Sequence, residues 1–206
     1  VRAFKSPQGR FKPEEPIVIS VSSIIEIRWH GRGGQGAVTS AELLAQAAIS
    51  EGKYAQAFPS FGPERRGAPV LAFDRISVKE PVRVRAEILE PDAVVVLDPN
   101  LLRIVNVTSG LKKSGVLVVN TSKPIQAIEA DYGGWWKIAT VDATKIAREL
   151  LGVPIVNTTM LGALIRSTGV VKPESLHEPI NVRFGRLGER NINAMKRALE
   201  ETLIKE

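Results

Sequence analysis

A chain of 206 residues is long enough to bury a sizeable core in one α/β domain, and 44% apolar with 24% charged residues is a globular composition. The absence of cysteine excludes disulfides, thiolate nucleophiles and any iron–sulfur cluster held by this chain alone; two histidines, His30 and His177, leave no room for a His-rich metal site. The 28 basic and 22 acidic residues leave +6, divided as +2 in residues 1–22, −1 in 23–100 and +5 in 101–206. The basic residues of the last part alternate with acids and aromatics are only 5%, unlike the basic stripe with stacking platforms that marks a nucleic-acid binder. Solvated surface, or a basic rim facing an acidic partner, accounts for this excess. No apolar run approaches the roughly 20 residues of a spanning helix. The basic N-terminus lacks an apolar segment directly behind it, so a signal peptide is not expected and a cytoplasmic protein is.

In chain order, residues 1–22 read as an N-terminal arm, because Pro7, Gly9, Pro13 and Pro16 fall among scattered charges with no apolar period. Ile24–Trp29 is β-branched and partly alternating, which predicts a strand. A turn at His30–Gly36 follows, then a helix from Ala37 to Glu51 ended by Gly52. Prolines and glycines make 53–70 a loop-rich connection with at most a short strand at Tyr54–Phe58. Val70–Arg75 and Val82–Arg85 are expected to pair as antiparallel strands around a Ser77–Pro81 turn. Ala93–Leu97, Val116–Val119 and Lys137–Val141 are short apolar runs, the first two continuous as strands buried on both faces require. Helices are expected at Leu101–Leu111, Ala143–Leu151, Thr158–Ser167 and Asn193–Lys205, the last amphipathic with Met195, Leu199, Leu203 and Ile204 near one face. Strands separated by helical stretches predict a Rossmann-like, mostly parallel sheet with helices on both faces, a single α/β domain over 23–206.

Gly31-Arg32-Gly33-Gly34-Gln35-Gly36 satisfies G-x-G-x-x-G between a predicted strand and a predicted helix, where free amides can meet an anion. A dinucleotide site also needs an acid about 20 residues on, at the end of the second strand, to hold a ribose. That region reads Tyr54-Ala55-Gln56-Ala57-Phe58-Pro59-Ser60, with no acid before Glu64. Three readings stay open: a dinucleotide cradle, a site for another phosphate or carboxylate, and a tight turn that only packs.

The extended turn H-G-R-G-G-Q-G-A at 30–37 and the segment Pro59-Ser60-Phe61-Gly62-Pro63-Glu64-Arg65-Arg66-Gly67-Ala68-Pro69 are specific together. With Asp98-Pro99 and Asn157–Leu164, they resemble the gamma subunit of 2-oxoacid:ferredoxin oxidoreductases over about residues 24–206. The resemblance implies a non-catalytic gamma subunit of an enzyme that oxidatively decarboxylates pyruvate, 2-oxoisovalerate or both to an acyl-CoA and reduces ferredoxin. It implies alpha, beta and delta-type partner subunits carrying thiamine diphosphate, Mg2+ and [4Fe-4S] clusters, coenzyme A in the complex, and neither a membrane nor a nucleic-acid partner. On this chain it implies no catalytic residue, no metal ligand and no cofactor of its own. Gly31, Gly33, Gly34 and Gly36 of the turn, with Arg65 and Arg66 of the second segment, are then candidates for an anion or coenzyme A site, or for a subunit interface.

Alternatives are a stand-alone NAD(P)-binding oxidoreductase and a non-enzymatic scaffold domain. His30 reads as a turn-stabilising hydrogen-bond partner rather than a general base, since no Ser or Asp completes a triad with it. His177 reads as a surface residue or helix end. Asp98 lies at a strand end, where ligands of open sheets bind, and equally suits a helix cap. Trp135-Trp136 is a candidate subunit contact, with edge-strand packing as the plainer reading.

Overall fold

The runs of β-branched residues become strands because each can be covered on one face or both. In the computed structural model, which describes residues 24–60 and 67–205, they are β1 (Ile24–Arg32), β2 (Tyr54–Pro59), β3 (Pro69–Ser77), β4 (Ala93–Val96), β5 (Val116–Asn120), β6 (Lys137–Val141) and β7 (Leu203–Lys205). They form one sheet in the order β2-β3-β1-β4-β5-β6-β7. β1, β4, β5 and β6 pair in parallel at the centre. β3 lies antiparallel between β1 and β2, and β7 antiparallel outside β6, so five of the seven strands point the same way.

The helices are α1 (Ala37–Ser50), α2 (Leu101–Ile104), α3 (Ile125–Tyr132), α4 (Ala143–Leu151), α5 (Asn157–Thr168), α6 (His177–Phe184) and α7 (Gly188–Glu201). On one face of the sheet, Leu44 of α1, Ile146 of α4, Leu161 of α5, Ile180 of α6 and Met195 of α7 close over Ile27, Trp29, Val95 and Val118. On the other, Leu101 and Leu102 of α2 with Ile125 and Ile128 of α3 cover Val94, Val96, Leu117 and Val119. The alternation of Val94 and Val96 with Ala93 and Val95 between two cores is why the run is apolar throughout. The predicted α/β architecture, with helices on both faces of a mostly parallel sheet, is therefore the one observed.

Several local expectations are corrected. Val82–Arg85 is not a strand: both edges of β3 are occupied, by β1 and β2, so no ladder is left for it. This segment is instead gripped by a side chain, Arg75 Nη1 donating to the carbonyls of Val84 at 3.0 Å and Ala86 at 2.8 Å. The helix expected over Leu101–Leu111 stops at Ile104, where Val105 turns extended at φ −130°, ψ 150°, consistent with the β-branched Ile104-Val105-Asn106-Val107-Thr108 run. The last helix starts at Gly188 and ends at Glu201. Leu203 and Ile204 belong to the exposed edge strand β7 rather than to its apolar face. α3 and α6 were not anticipated; both are single short helices with weak periodicity. The arm proposed for residues 1–22 lies outside the described residues.

Candidate functional site

The sheet reverses its order at β1: the chain leaves it through α1 toward β2 and β3 on one side and returns to β4 on the other. The crevice at the carboxyl ends of β1 and β4 is where open α/β sheets place ligands, and it holds the glycine-rich turn. Leu97 N donates to His30 O at 2.8 Å, extending the β1–β4 register to the mouth of the crevice. Arg32 and Asp98 then face each other across it, Nε to Oδ2 at 2.6 Å.

The turn is closed upon itself. Arg32 N donates to Gln35 Oε1 at 2.8 Å, Gln35 N to Arg32 O at 2.9 Å, and Gly33 N to Ala68 O at 3.1 Å. Three of its amides are thus engaged within the protein. Gln35 Nε2 reaches Asp98 Oδ2 at 3.4 Å, and Arg32 Nη1 donates to Gly67 O at 3.0 Å. Burial pushes the Asp98 carboxyl upward, but the Asn100 amide and the Arg32 guanidinium outweigh it and hold the group below its usual range. A carboxylate therefore stands at the mouth, neutralised by Arg32; its Oδ1 accepts from Asn100 N at 2.9 Å in the turn before α2, whose N-cap is Asn100 rather than Asp98.

Two of the glycines have steric reasons that need no ligand. A Cβ on Gly31 would lie 3.2 Å from Ala37 Cβ and 3.3 Å from Leu97 Cδ1, so its absence lets α1 close onto β1 and β4. Gly36 begins α1 in the left-handed region, at φ 81°, and a Cβ there would lie 2.7 Å from Asn157 Nδ2. Asn157 opens α5, and its carbonyl accepts from Ser40 Oγ of α1 at 3.1 Å. The turn thus joins β1, α1 and the start of α5. Immediately before Asn157, Val153 and Ile155 are each 44% exposed and Pro154 is exposed as well, placing an apolar rim next in sequence to this junction.

The neighbour of β1 on the α1 side is the antiparallel β3, which presents its beginning, Ala68, to the turn. A dinucleotide fold would present there the carboxyl end of a parallel strand bearing the ribose acid. β2 is one strand further out and ends in Phe58-Pro59, without an acid.

Gly31, Gly33, Gly34 and Gly36 are thus brought together with Asp98 and Asn157. Glu64, Arg65 and Arg66 lie outside the described residues. His30 is buried and neutral: burial, with Arg28 beside it, lowers its pKa to about 3. Its Nε2 accepts from Arg28 Nε at 3.1 Å, so its side-chain bond is to a strand residue and not to the turn it was expected to stabilise. Arg28, which sequence reasoning passed over, also donates to the carbonyls of Ile88 at 3.3 Å, Val107 at 3.0 Å and Ser109 at 2.6 Å, clamping two loops to the sheet. Its signal was a cation set between Ile27 and Trp29 in the middle of a strand. His177 opens α6 half-buried, with Nε2 lacking a hydrogen-bond partner among the described residues. Trp135 is 79% exposed with Lys113 Nζ 5.6 Å from its ring centre, whereas Trp136 is half-buried and donates to Tyr132 O.

Beside the crevice, a cleft of about 430 Å3 lies past the ends of β4, β5 and β6, lined by Asn120, Thr121, Thr144, Lys145 and Arg148 among others. Its cations face two acids, Asp142 and Glu149, so it carries no clear charge preference. Among the described residues no cluster of His, Asp and Glu could hold a metal ion, and no helix is long and apolar enough to cross a membrane.

A model of the pyruvate ferredoxin/flavodoxin oxidoreductase family matches residues 26–201. The chain is 56% identical over 185 residues to the pyruvate/ketoisovalerate oxidoreductases common subunit gamma of Thermococcus litoralis, covering 89% of this chain and all of that one. It is 56% identical over 179 residues to the pyruvate synthase subunit PorC of Methanothermobacter thermautotrophicus, covering 86% of this chain and 96% of that one. The crystal structure of the pyruvate oxidoreductase subunit PORC of Thermotoga maritima superposes with a TM-score of 0.80 at 41% identity, over 89% of this chain and 99% of that one. On a match that takes in nearly the whole sheet and the glycine-rich turn, the chain belongs to the pyruvate ferredoxin/flavodoxin oxidoreductase family.

Proposed function

We propose that this chain is a non-catalytic gamma subunit of an enzyme complex that converts a 2-oxoacid, pyruvate or 2-oxoisovalerate, and coenzyme A into an acyl-CoA and carbon dioxide. The two electrons released leave through iron–sulfur clusters to ferredoxin. The observation that supports this most is a full-length match to a gamma subunit by a chain that has no cysteine. Clusters of this kind are held by thiolates, so the electron path belongs to partner chains of alpha, beta and delta type. Thiamine diphosphate and Mg2+ are assigned to those partners as well. We place the complex in the cytoplasm, where reducing conditions suit cluster-bearing partners.

Within this reading the glycine-rich turn is a packing and interface element rather than a phosphate cradle. Three of its amides are satisfied internally, a carboxylate occupies its mouth, and the apolar loop at Val153–Ile155 leads into Asn157. Arg65 and Arg66 are assigned to the same interface. The stand-alone NAD(P) reading is disfavoured by the antiparallel β3 beside β1. The test is Gly33→Asp introduced into the intact complex. The packing role predicts weakened assembly with an unchanged coenzyme A KM in whatever complex still forms. Normal assembly with a raised coenzyme A KM would favour the anion site instead.

A further inference from the structure

Half of the net charge of this chain is concentrated at one corner. The fifteen residues from Val182 to Lys196 carry four basic side chains, Arg183, Arg186, Arg190 and Lys196, and one acid, Glu189, for +3 of the total +6. All four cations are exposed, and among the described residues no carboxylate forms a salt bridge with any of them. On the neighbouring part of α7, by contrast, Arg197 is paired with Glu149 and Glu201. Between the cations, Val182 is 79% exposed and Leu187 46%.

The corner is also rigidly built. Gly185 ends α6 at φ 52°, ψ −121°, a conformation that side-chain-bearing residues avoid, and a short 3-10 turn carries Arg186 and Leu187 outward before α7 begins. A Cβ on Gly188 would collide with Asn181 Oδ1 and lie 2.9 Å from Asn181 Cα, so the two helices approach as closely as backbones allow. Asn191 Nδ2 ties the turn by its bond to Leu187 O at 2.9 Å, and Asn191 Oδ1 accepts from Thr158 Oγ1 at 2.7 Å, pinning the corner to α5. A tight, pinned turn therefore holds apolar and cationic side chains out in solvent.

We infer that the α6–α7 corner is a second docking face, beside the one at the glycine-rich turn, by which this chain meets an acidic surface of a partner subunit, with Val182 and Leu187 at the apolar centre and Arg183, Arg186 and Arg190 meeting carboxylates around it. The inference rests on the proposed role as a subunit and adds where, and to what chemistry, it attaches. Arginine with exposed aliphatic residues is the composition of a protein interface, in which arginine is enriched and lysine depleted. Arginine also forms planar, two-point bonds with carboxylates. A second copy of this chain is a poor occupant: a two-fold interface would set the patch against itself, cation against cation. A nucleic acid is disfavoured because the exposed apolar residues at the corner are aliphatic and offer no stacking platform.

The test reconstitutes the complex from its separate full-length subunits and measures association by native mass and sedimentation, with unfolding curves confirming that each variant is folded. Arg183→Glu with Arg186→Glu is expected to weaken association about 100-fold, and Leu187→Ala about tenfold. The control pair Lys79→Glu with Arg83→Glu makes the same charge change in the β3–β4 loop and is expected to leave association within about twofold. Equal weakening by both pairs, or by neither, overturns the inference. So does wild-type self-association that the corner pair abolishes while assembly stays normal, and so does poly-uridine binding lost in that pair alone. If the wild-type chain itself does not assemble, the subunit reading fails first, which separates the two outcomes.

Discussion

Replacing Gly36 by alanine tests whether the glycine-rich turn is a packing element. The residue sits at φ 81°, ψ 29°, where an L side chain costs about 1–2 kcal/mol. The new methyl group would lie 2.7 Å from Asn157 Nδ2, 3.1 Å from its Cβ and 3.2 Å from its Cγ. Asn157 has little freedom to retreat: it is buried, its Oδ1 accepts from Thr158 N at 2.9 Å and its carbonyl accepts from Ser40 Oγ. Overpacking of that kind adds about 1–3 kcal/mol, for a total near 2–5 kcal/mol. For a domain of this size, where 1 kcal/mol moves Tm by about 2–4 °C, the expected loss is roughly 4–20 °C. Thermal and denaturant unfolding of the full chain measure it, and a double-mutant cycle with Asn157→Ala apportions it. The contact predicts a coupling of about 1 kcal/mol or more, with the double variant less destabilised than the sum of the singles. Additive singles, or an alanine variant as stable as wild type, would refute the packing role.

Three further changes probe the buried polar groups of β1 and β3. Folded His30 stays neutral down to about pH 3 while the unfolded imidazole protonates near 6.5. Between those values the unfolded chain binds more protons, so this contribution to stability falls with falling pH by up to about 1.4 kcal/mol per pH unit. His30→Gln keeps an acceptor for Arg28 and should flatten that slope between pH 4 and 6 in denaturant titrations; an unaltered slope contradicts it. Asp74 acts with the opposite sign: full burial outweighs the 2.7 Å bond from Trp29 Nε1 and raises its carboxyl well above 3.8. Its folded form keeps a proton that the unfolded form releases, so stability falls as pH rises above that value. Asp74→Asn, which retains an acceptor for Trp29, should therefore gain on wild type steadily from pH 4 upward, and a constant difference would count against this assignment. Arg28→Met removes three charge-assisted bonds to loop carbonyls, two of them buried, and should destabilise by about 3 kcal/mol, with faster amide exchange in 86–92 and 105–110 as its signature.

The parallel core was legible because its physics leaves a plain mark. A strand covered on both faces must be apolar throughout, and Ala93–Leu97 and Val116–Val119 have no other reason to be so. The strand–turn–helix at His30–Ala37 was equally visible, since glycines at such spacing mark close approach. The insertion of β3 between β1 and β2 was not. Hairpin pairing looks the same in sequence whichever strand it later joins, and that insertion removes the nucleotide-binding geometry the turn suggested. Arg28 and the Arg32–Asp98 pair escaped because the partners lie 60 to 81 positions away. Asn157 was visible only as part of a matched segment; its contact with Gly36 belongs to tertiary packing. The charge of the last hundred residues was plain in the sequence, but its concentration at a rigid corner needed the pairing of Arg197 and the geometry of Gly185 and Gly188.

Reconstitution by omission decides whether this chain is an obligatory subunit. Partner subunits of alpha, beta and delta type are assembled with and without this chain, and coenzyme A-dependent ferredoxin reduction is followed with pyruvate and with 2-oxoisovalerate. No turnover is expected from this chain alone, little from the partners alone, and full activity on recombination with the chain present in stoichiometric amount. Full activity of the partners without it, or NAD(P)-dependent oxidation of a substrate by the isolated chain, would rule out the subunit role.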